Sequence, residues 1–251
     1  MYLVFDLDGT LIFEGEPLSI ALCHALVELE KLDTQIIFAT ARPLRDTLPI
    51  LPKRFHEHTI IGCNGAMISQ GGNVVSASTF EEQHIETLLN WLDAKDITYL
   101  FDSYMNYAVS NKPHYFHQIM TKYGHLPTDK QILQTQPIVK LLVLESHCKS
   151  QLTQFCETNL FKFAYYHHSG HDCFDVVPNA CNKLQALQKL KIDLNNTLCF
   201  GNDINDLAML NAAKKAFVVG NKVTPSREYI QLEQHTLLAS LKNLALSLSS
   251  K

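Results

Sequence analysis

Short apolar runs, each ending on a polar residue, set the rhythm of the opening of the chain. Tyr2-Leu3-Val4-Phe5 runs into Asp6, and the strand Gln35–Ala39, apolar from Ile36 on, runs into Thr40. Unbroken apolarity over so short a span is the pattern of a parallel strand buried on both faces, with polar function at its C-terminal tip. Between the two runs, residues 18–32 place Leu18, Ala21, Leu22, Ala25, Leu26 and Leu29 on one helical face. The order is therefore β-α-β, and its two polar strand tips can converge on one pocket.

Residues 59–75 read as a strand, a turn at Asn64-Gly65 and a hairpin turning at Gly71-Gly72. The rhythm then changes. A helix over 80–94 is followed by strands at 97–101 and 107–110 and by a helix opened by Pro113 and running through Tyr123. A strand at 138–144, a helix at 149–158 and strands at 161–167 and 174–177 complete an α+β module. After Pro178 the β-α alternation returns: helix 183–190, strand 197–200, helix 206–213 and strand 216–219, then an apolar stretch at helical spacing over 237–248. The pattern predicts an α/β protein. Its core is a Rossmann-like, doubly wound parallel sheet built from residues 1–79 and 179–251, carrying an inserted smaller α+β cap domain over 80–178.

Composition narrows the partners more than the fold. With 46% hydrophobic and 18% charged residues the chain reads as a globular protein able to bury a sizeable core. A net charge of -4 gives no basic excess for nucleic acid or an acidic membrane surface, so a small molecule is the expected partner. No apolar run approaches the ~20 residues of a membrane span. The seven cysteines contain no C-x-x-C pair and read as reduced structural thiols. The opening Met1-Tyr2-Leu3-Val4-Phe5-Asp6 has no basic leader. A cytoplasmic location is expected; a monomer and a homodimer are equally compatible with the sequence.

The candidate chemistry gathers at the predicted strand tips. Asp6-Leu7-Asp8-Gly9-Thr10 sets two carboxylates at alternate positions, with a glycine turning the backbone behind them. A carboxylate can attack phosphorus and hold the phosphoryl group covalently, which divides hydrolysis into two displacements. Asp6 is the candidate nucleophile. Asp8 is placed to give a proton to the leaving oxygen and later to take one from water. Two anions facing a phosphate dianion require positive charge nearby. Mg²⁺ suits a site of few carboxylates and several waters, and Gly201-Asn202-Asp203-Ile204-Asn205-Asp206, again after a strand, is the natural source of its remaining ligands. Lys183 is the natural cation.

Taken alone, an Asp-x-Asp-Gly segment is more often a turn, a strand-end threonine is a strand residue, and a lysine near a helix start is solvated. Asn205-Asp206 can also simply cap the next helix. The order of the four segments is what promotes them. Asp6 to Thr10, Thr40, Lys183 and the run from Gly201 to Leu210 resemble the four ordered motifs of the haloacid dehalogenase-like phosphatases. Ile61-Gly62-Cys63-Asn64-Gly65-Ala66 before an α+β insertion resembles the Cof-type, sugar-phosphatase branch, whose cap lies between the second and third motifs.

The resemblance implies Asp6 as nucleophile and metal ligand, and Asp8 as acid and base that also lends its backbone carbonyl to Mg²⁺. It implies Thr40 on a phosphoryl oxygen and Lys183 bridging Asp6 and that group. Asn205 would touch phosphate and Asp206 would support the metal shell. Arg42, in Thr40-Ala41-Arg42 where the family more often has glycine for Ala41, and Asn64 join the substrate-binding set in supporting roles. The family usually carries aspartate directly after the glycine of the last motif. This chain has Asn202 there and Asp203 one place later, so either of the two is expected to complete the metal shell. The implied substrate is a small phosphorylated metabolite, sugar phosphates before pyridoxal phosphate or a mononucleotide. A phosphomutase or phosphotransferase of the same fold, and a non-catalytic phosphometabolite-binding protein, are the alternatives. The groups His167, His168 and His171, and His114 and His117, lack a known ligand spacing and are not expected to form a metal site.

Overall fold

The computed structural model describes residues 1–122, 125–168 and 171–250. The chain divides into two compact units, Met1–Val75 with Asn182–Lys251, and Ser76–Cys181. Among the described residues the strands are β1 (Tyr2–Phe5), β2 (Gln35–Ala39), β3 (Thr59–Gly62), β4 (Met67–Gln70), β5 (Asn73–Ala77), β6 (Tyr99–Asp102), β7 (Tyr107–Val109), β8 (Lys140–Val143), β9 (Phe163–His167), β10 (Phe174–Pro178), β11 (Thr197–Gly201), β12 (Lys215–Val219) and β13 (Tyr229–Leu232). The helices are α1 (Ile20–Glu30), α2 (Leu44–Thr47), α3 (Glu82–Ala94), α4 (Tyr115–Lys122), α5 (Lys130–Gln134), α6 (Lys149–Thr158), α7 (Lys183–Lys189), α8 (Leu207–Ala212) and α9 (Gln234–Ser249).

The larger sheet has the order β13-β12-β11-β1-β2-β3-β4-β5. From β13 to β3 every neighbouring pair is parallel, and β4 turns back antiparallel on β3. β1 is central, which explains why Leu3, Val4 and Phe5 have no solvent exposure. Each such side chain contributes on the order of 1.5–3 kcal/mol by leaving water. Phe5, Phe200 and Phe217 face one another across β1, β11 and β12 with ring centroids 4.5 Å and 4.3 Å apart. The stack fixes the register just before the strand tips, and each pair adds about 0.5–1.5 kcal/mol. α7 and α8 cover the sheet through Ala186, Leu187, Met209 and Leu210, packed with Val4, Ile37, Cys199 and Val218.

The second unit is built on a five-stranded sheet, β7-β6-β8-β10-β9, antiparallel wherever its strands pair. α3 and α6 bury Leu88, Leu89, Leu92, Leu152 and Cys156 with Tyr99, Phe101, Leu141 and Phe174. Met120 of α4 joins a separate cluster with Leu100, Tyr107 and Leu142.

Several element boundaries differ from the sequence expectation for local reasons. α1 starts at Ile20, because the Ser19 hydroxyl accepts the Leu22 N–H at 3.3 Å and caps the helix; Leu18 is buried ahead of it and Ala21 faces solvent. α3 starts at Glu82, because Phe80 is drawn into the core of its unit and its N–H bonds the Ile138 carbonyl. Tyr123, the expected end of the Pro113 helix, lies outside the described residues. No helix among the described residues is long and apolar enough to cross a membrane.

Candidate active site

The parallel ladder carries the backbone one residue past β1, with the Asp6 N–H bonded to the Phe200 carbonyl at 2.9 Å. The Asp6 carboxylate is thereby set at the tip of the central strand, almost fully buried. Its Oδ1 accepts Lys183 Nζ at 2.6 Å and its Oδ2 accepts the Thr10 hydroxyl at 3.0 Å. Lys183 opens α7, which Asn182 caps by accepting the Gln185 N–H at 2.9 Å. The ammonium is 1% exposed and also donates to Asp206 Oδ1 at 2.6 Å. A lysine is tolerable at such depth only with carboxylates on it. Burial works against its charge, but Asp206 and Asp6 outweigh burial and raise its pKa. Asp6 is pushed up to about 7, chiefly by burial and then by the charge of Asp206, with Lys183 opposing.

Asp206 has both oxygens engaged. Oδ1 takes Lys183, while Oδ2 accepts the N–H groups of Asn202 at 2.9 Å and Asp203 at 3.2 Å. It therefore ties the last loop to the buried lysine. The Asp203 carboxylate turns to the start of the following 3-10 turn, accepting the Ile204 N–H at 2.7 Å, and Lys222 Nζ lies 4.0 Å from its other oxygen. Asn202 Oδ1 instead lies 3.4 Å from the Thr10 hydroxyl that bonds Asp6. Gly9 permits this approach: its φ is +79°, and a Cβ there would sit 2.1 Å from Asn202 Nδ2. Thr10 received no role from the sequence, although it closes the Asp-Leu-Asp-Gly-Thr segment. Its complete burial and its two oxygen neighbours make it part of the site.

Thr40 follows β2 and is fully buried; its Oγ1 accepts the Arg42 N–H at 3.1 Å, which leaves the hydroxyl hydrogen to donate elsewhere. The Arg42 guanidinium forks onto Asp8, Nε to Oδ2 at 2.7 Å and an Nη to Oδ1 at 2.6 Å. Asp8 is the exposed member of the carboxylate pair, and this bidentate contact holds its orientation. Asn205 Nδ2 donates to Asn64 Oδ1 at 2.9 Å, with Asn64 completely buried. The contacts thus form three groups: Asp6, Thr10, Lys183, Asn202 and Asp206; Asp8 with Arg42; and Asn64 with Asn205.

Among the described residues no group of three or more His, Cys, Asp or Glu side chains is placed to hold a metal ion. A centre here needs neutral oxygens and water beside carboxylate, which is the donor set Mg²⁺ accepts. Asp6 and Asn202 present such oxygens to one hydroxyl, that of Thr10, so the residues fit the ion.

A parallel sheet with a buried aspartate at the tip of its central strand, bound by a lysine from a later helix, defines a class. The family model for haloacid dehalogenase-like hydrolases matches residues 3–229, and the chain belongs to that family. Among curated relatives, an HMP-PP phosphatase of Cronobacter sakazakii is 29% identical over 227 residues, spanning 86% of this chain and 83% of the relative. An HMP-PP phosphatase of Yersinia pseudotuberculosis is 28% identical over 237 residues, spanning 86% and 82%. A haloacid dehalogenase-like hydrolase from Bacteroides thetaiotaomicron shares the fold with a TM-score of 0.82 at 16% identity, over 97% of this chain and 98% of the other. A sugar phosphatase of subclass IIB of the superfamily shares it with a TM-score of 0.76 at 17% identity, over 98% and 99%.

Proposed function

We propose that this hydrolase cleaves small phosphate monoesters, sugar phosphates first, by transferring the phosphoryl group to Asp6 and then to water. The observation that carries the reading is the buried Lys183 ammonium between Asp6 and Asp206. So costly an arrangement has a use where an anion must be attacked by an anion. The relatives named as an HMP-PP phosphatase and a sugar phosphatase support a small phosphorylated metabolite as the substrate, and the sugar phosphatase a monoester.

In this reading an Asp6 oxygen attacks phosphorus while the ester oxygen leaves with a proton from Asp8. Water then attacks the aspartyl-phosphate, returns that proton to Asp8, and frees Asp6 and inorganic phosphate. Lys183 and the Thr40 hydroxyl bind phosphoryl oxygens; Arg42 orients the ionised Asp8 and gives up one arm of its fork when Asp8 carries the proton. Mg²⁺, bound through Asp6 and Asn202, would neutralise charge on the phosphoryl group. Asp206 holds Lys183 and the loop, and Asp203 caps that loop. Release of inorganic phosphate from a panel of phosphorylated metabolites, with and without Mg²⁺ in a cytoplasmic range of pH, tests the reading. No release from any ester by folded protein at saturating Mg²⁺ would overturn it.

Two further outcomes are expected. Asp203→Ala keeps the Mg²⁺ activation constant within about threefold, whereas Asn202→Ala raises it on the order of tenfold or more. Equal effects of the two substitutions would reject Asn202 as the ligand. The second concerns pH. Because Asp6 lies at about 7 in the folded protein against 3.8 as its ordinary value, metal-free protein loses stability as pH rises from about 4 through about 7. Below about pH 7 Mg²⁺ must displace the Asp6 proton to bind. The rise in Tm on adding Mg²⁺ is therefore larger at pH 8 than at pH 5.5, and a rise independent of pH would contradict the assignment.

A further inference from the structure

We infer that Asn64 is a positioning residue for the phosphoryl site, acting through the Asn205 amide. The inference rests on the hydrolase reading and on the contact with phosphate that the family resemblance implies for Asn205. Three successive residues after β3 have left-handed backbones: Cys63 at φ +50°, Asn64 at +54° and Gly65 at +99°. Such a run persists only where its surroundings over-determine it. The Cys63 N–H bonds the Arg42 carbonyl at 3.0 Å, and the Asn64 N–H bonds the Thr40 carbonyl at 3.0 Å. At Gly65 a Cβ would sit 2.2 Å from the carbonyl oxygen of Asn182, the residue that caps α7 just before Lys183. One short turn therefore touches the segments carrying Thr40, Arg42 and Lys183.

It reaches the fourth segment through Asn64 Oδ1, which accepts Asn205 Nδ2 at 2.9 Å. Asn64 has no solvent exposure and Asn205 is half-buried. An amide nitrogen carries two hydrogens. With one committed to Asn64, the plane of the Asn205 amide is fixed and the second is aimed without reorganisation when charge gathers on the phosphoryl oxygens. Asparagine meets both demands of the position, since it tolerates a positive φ and supplies the acceptor.

Asn64→Gly separates this role from that of a turn residue. Glycine is the best residue for a positive φ, so a turn-only role leaves the rate unchanged or the protein slightly more stable. Positioning predicts that kcat for p-nitrophenyl phosphate falls on the order of 10- to 100-fold, with KM within about threefold and a wild-type near-ultraviolet spectrum. The fall is absent in an Asn205→Ala background, because the partner is already gone. Wild-type kcat in Asn64→Gly, or losses that multiply in the double variant, overturn the inference while leaving the hydrolase reading intact. An active wild type in which Asn205→Ala changes nothing overturns both the inference and the role given to Asn205. No phosphate release by the wild type is instead the failure of the hydrolase reading itself. Should Asn64→Gly not fold, the Asn205 side-chain amide resonances of the wild type decide. Two well-separated hydrogens, one protected from exchange, support the inference, and rapid exchange of both overturns it.

Discussion

Asp6→Asn yields a folded protein whose turnover falls by a factor on the order of 10⁴ or more. The change is almost isosteric: the amide oxygen takes the Oδ1 position and still accepts from Lys183, while the amide nitrogen at the Oδ2 position donates to the Thr10 hydroxyl oxygen, whose hydrogen turns to Asn202 Oδ1. What disappears is the negative oxygen that, in the proposed reaction, forms the bond to phosphorus, and removal of a nucleophile costs more than removal of any group that assists it. The fold survives for an electrostatic reason. Ionised Asp6 is an unfavourable buried charge, as its pKa of about 7 records, so at pH 8 the variant melts no lower than metal-free wild type. Inorganic phosphate release and circular dichroism on the same preparation check both halves. Turnover above about one-hundredth of wild type would exclude a covalent role for Asp6.

Lys183→Met is expected to damage stability as well as rate. Methionine replaces much of the aliphatic stem, but Asp6 and Asp206 are left facing each other with the ammonium between them gone. Breaking a buried ion pair on one side costs about 3–5 kcal/mol, because the remaining charge loses its countercharge in a site without bulk water. Unfolding in urea should register that loss, and turnover should fall on the order of 10³-fold. Lys183→Met with Asp206→Asn should recover part of the stability, since one orphaned charge is removed, and none of the rate. A single variant within 1 kcal/mol of wild type would mean that the lysine is not the anchor of this site.

Local pattern was a good guide where burial is uniform. β1, β2 and α6 have the ends their sequences indicate, since strands apolar throughout and a helix with a steady period admit few other readings. β13 escaped notice because it is an edge strand: Ile230 and Gln231 are exposed, so neither alternation nor an unbroken apolar run is present. α2 and α5 are single turns and too short to show a period. Within the site, the segments were legible and their pairings were not. The Arg42 fork on Asp8 joins residues 34 positions apart, and nothing local announces it. Nor could spacing choose between Asn202 and Asp203. The proposal of Asn202 rests on the Asp203 side chain capping the 3-10 turn and on Gly9 making room for Asn202.

The position of β1 between β2 and β11 has a consequence for synthesis on the ribosome. One neighbour of β1 is made almost at once, but the other, with the lysine bound to Asp6 177 positions away, emerges only after the whole inserted unit. Through that interval the Asp6 strand has an open edge and its carboxylate has no cation. The inserted unit, with its own sheet and cores, can meanwhile fold as a local body and shorten the effective loop that must close. A released chain truncated before residue 183 should therefore present a protease-resistant insertion and an aspartate without its lysine partner.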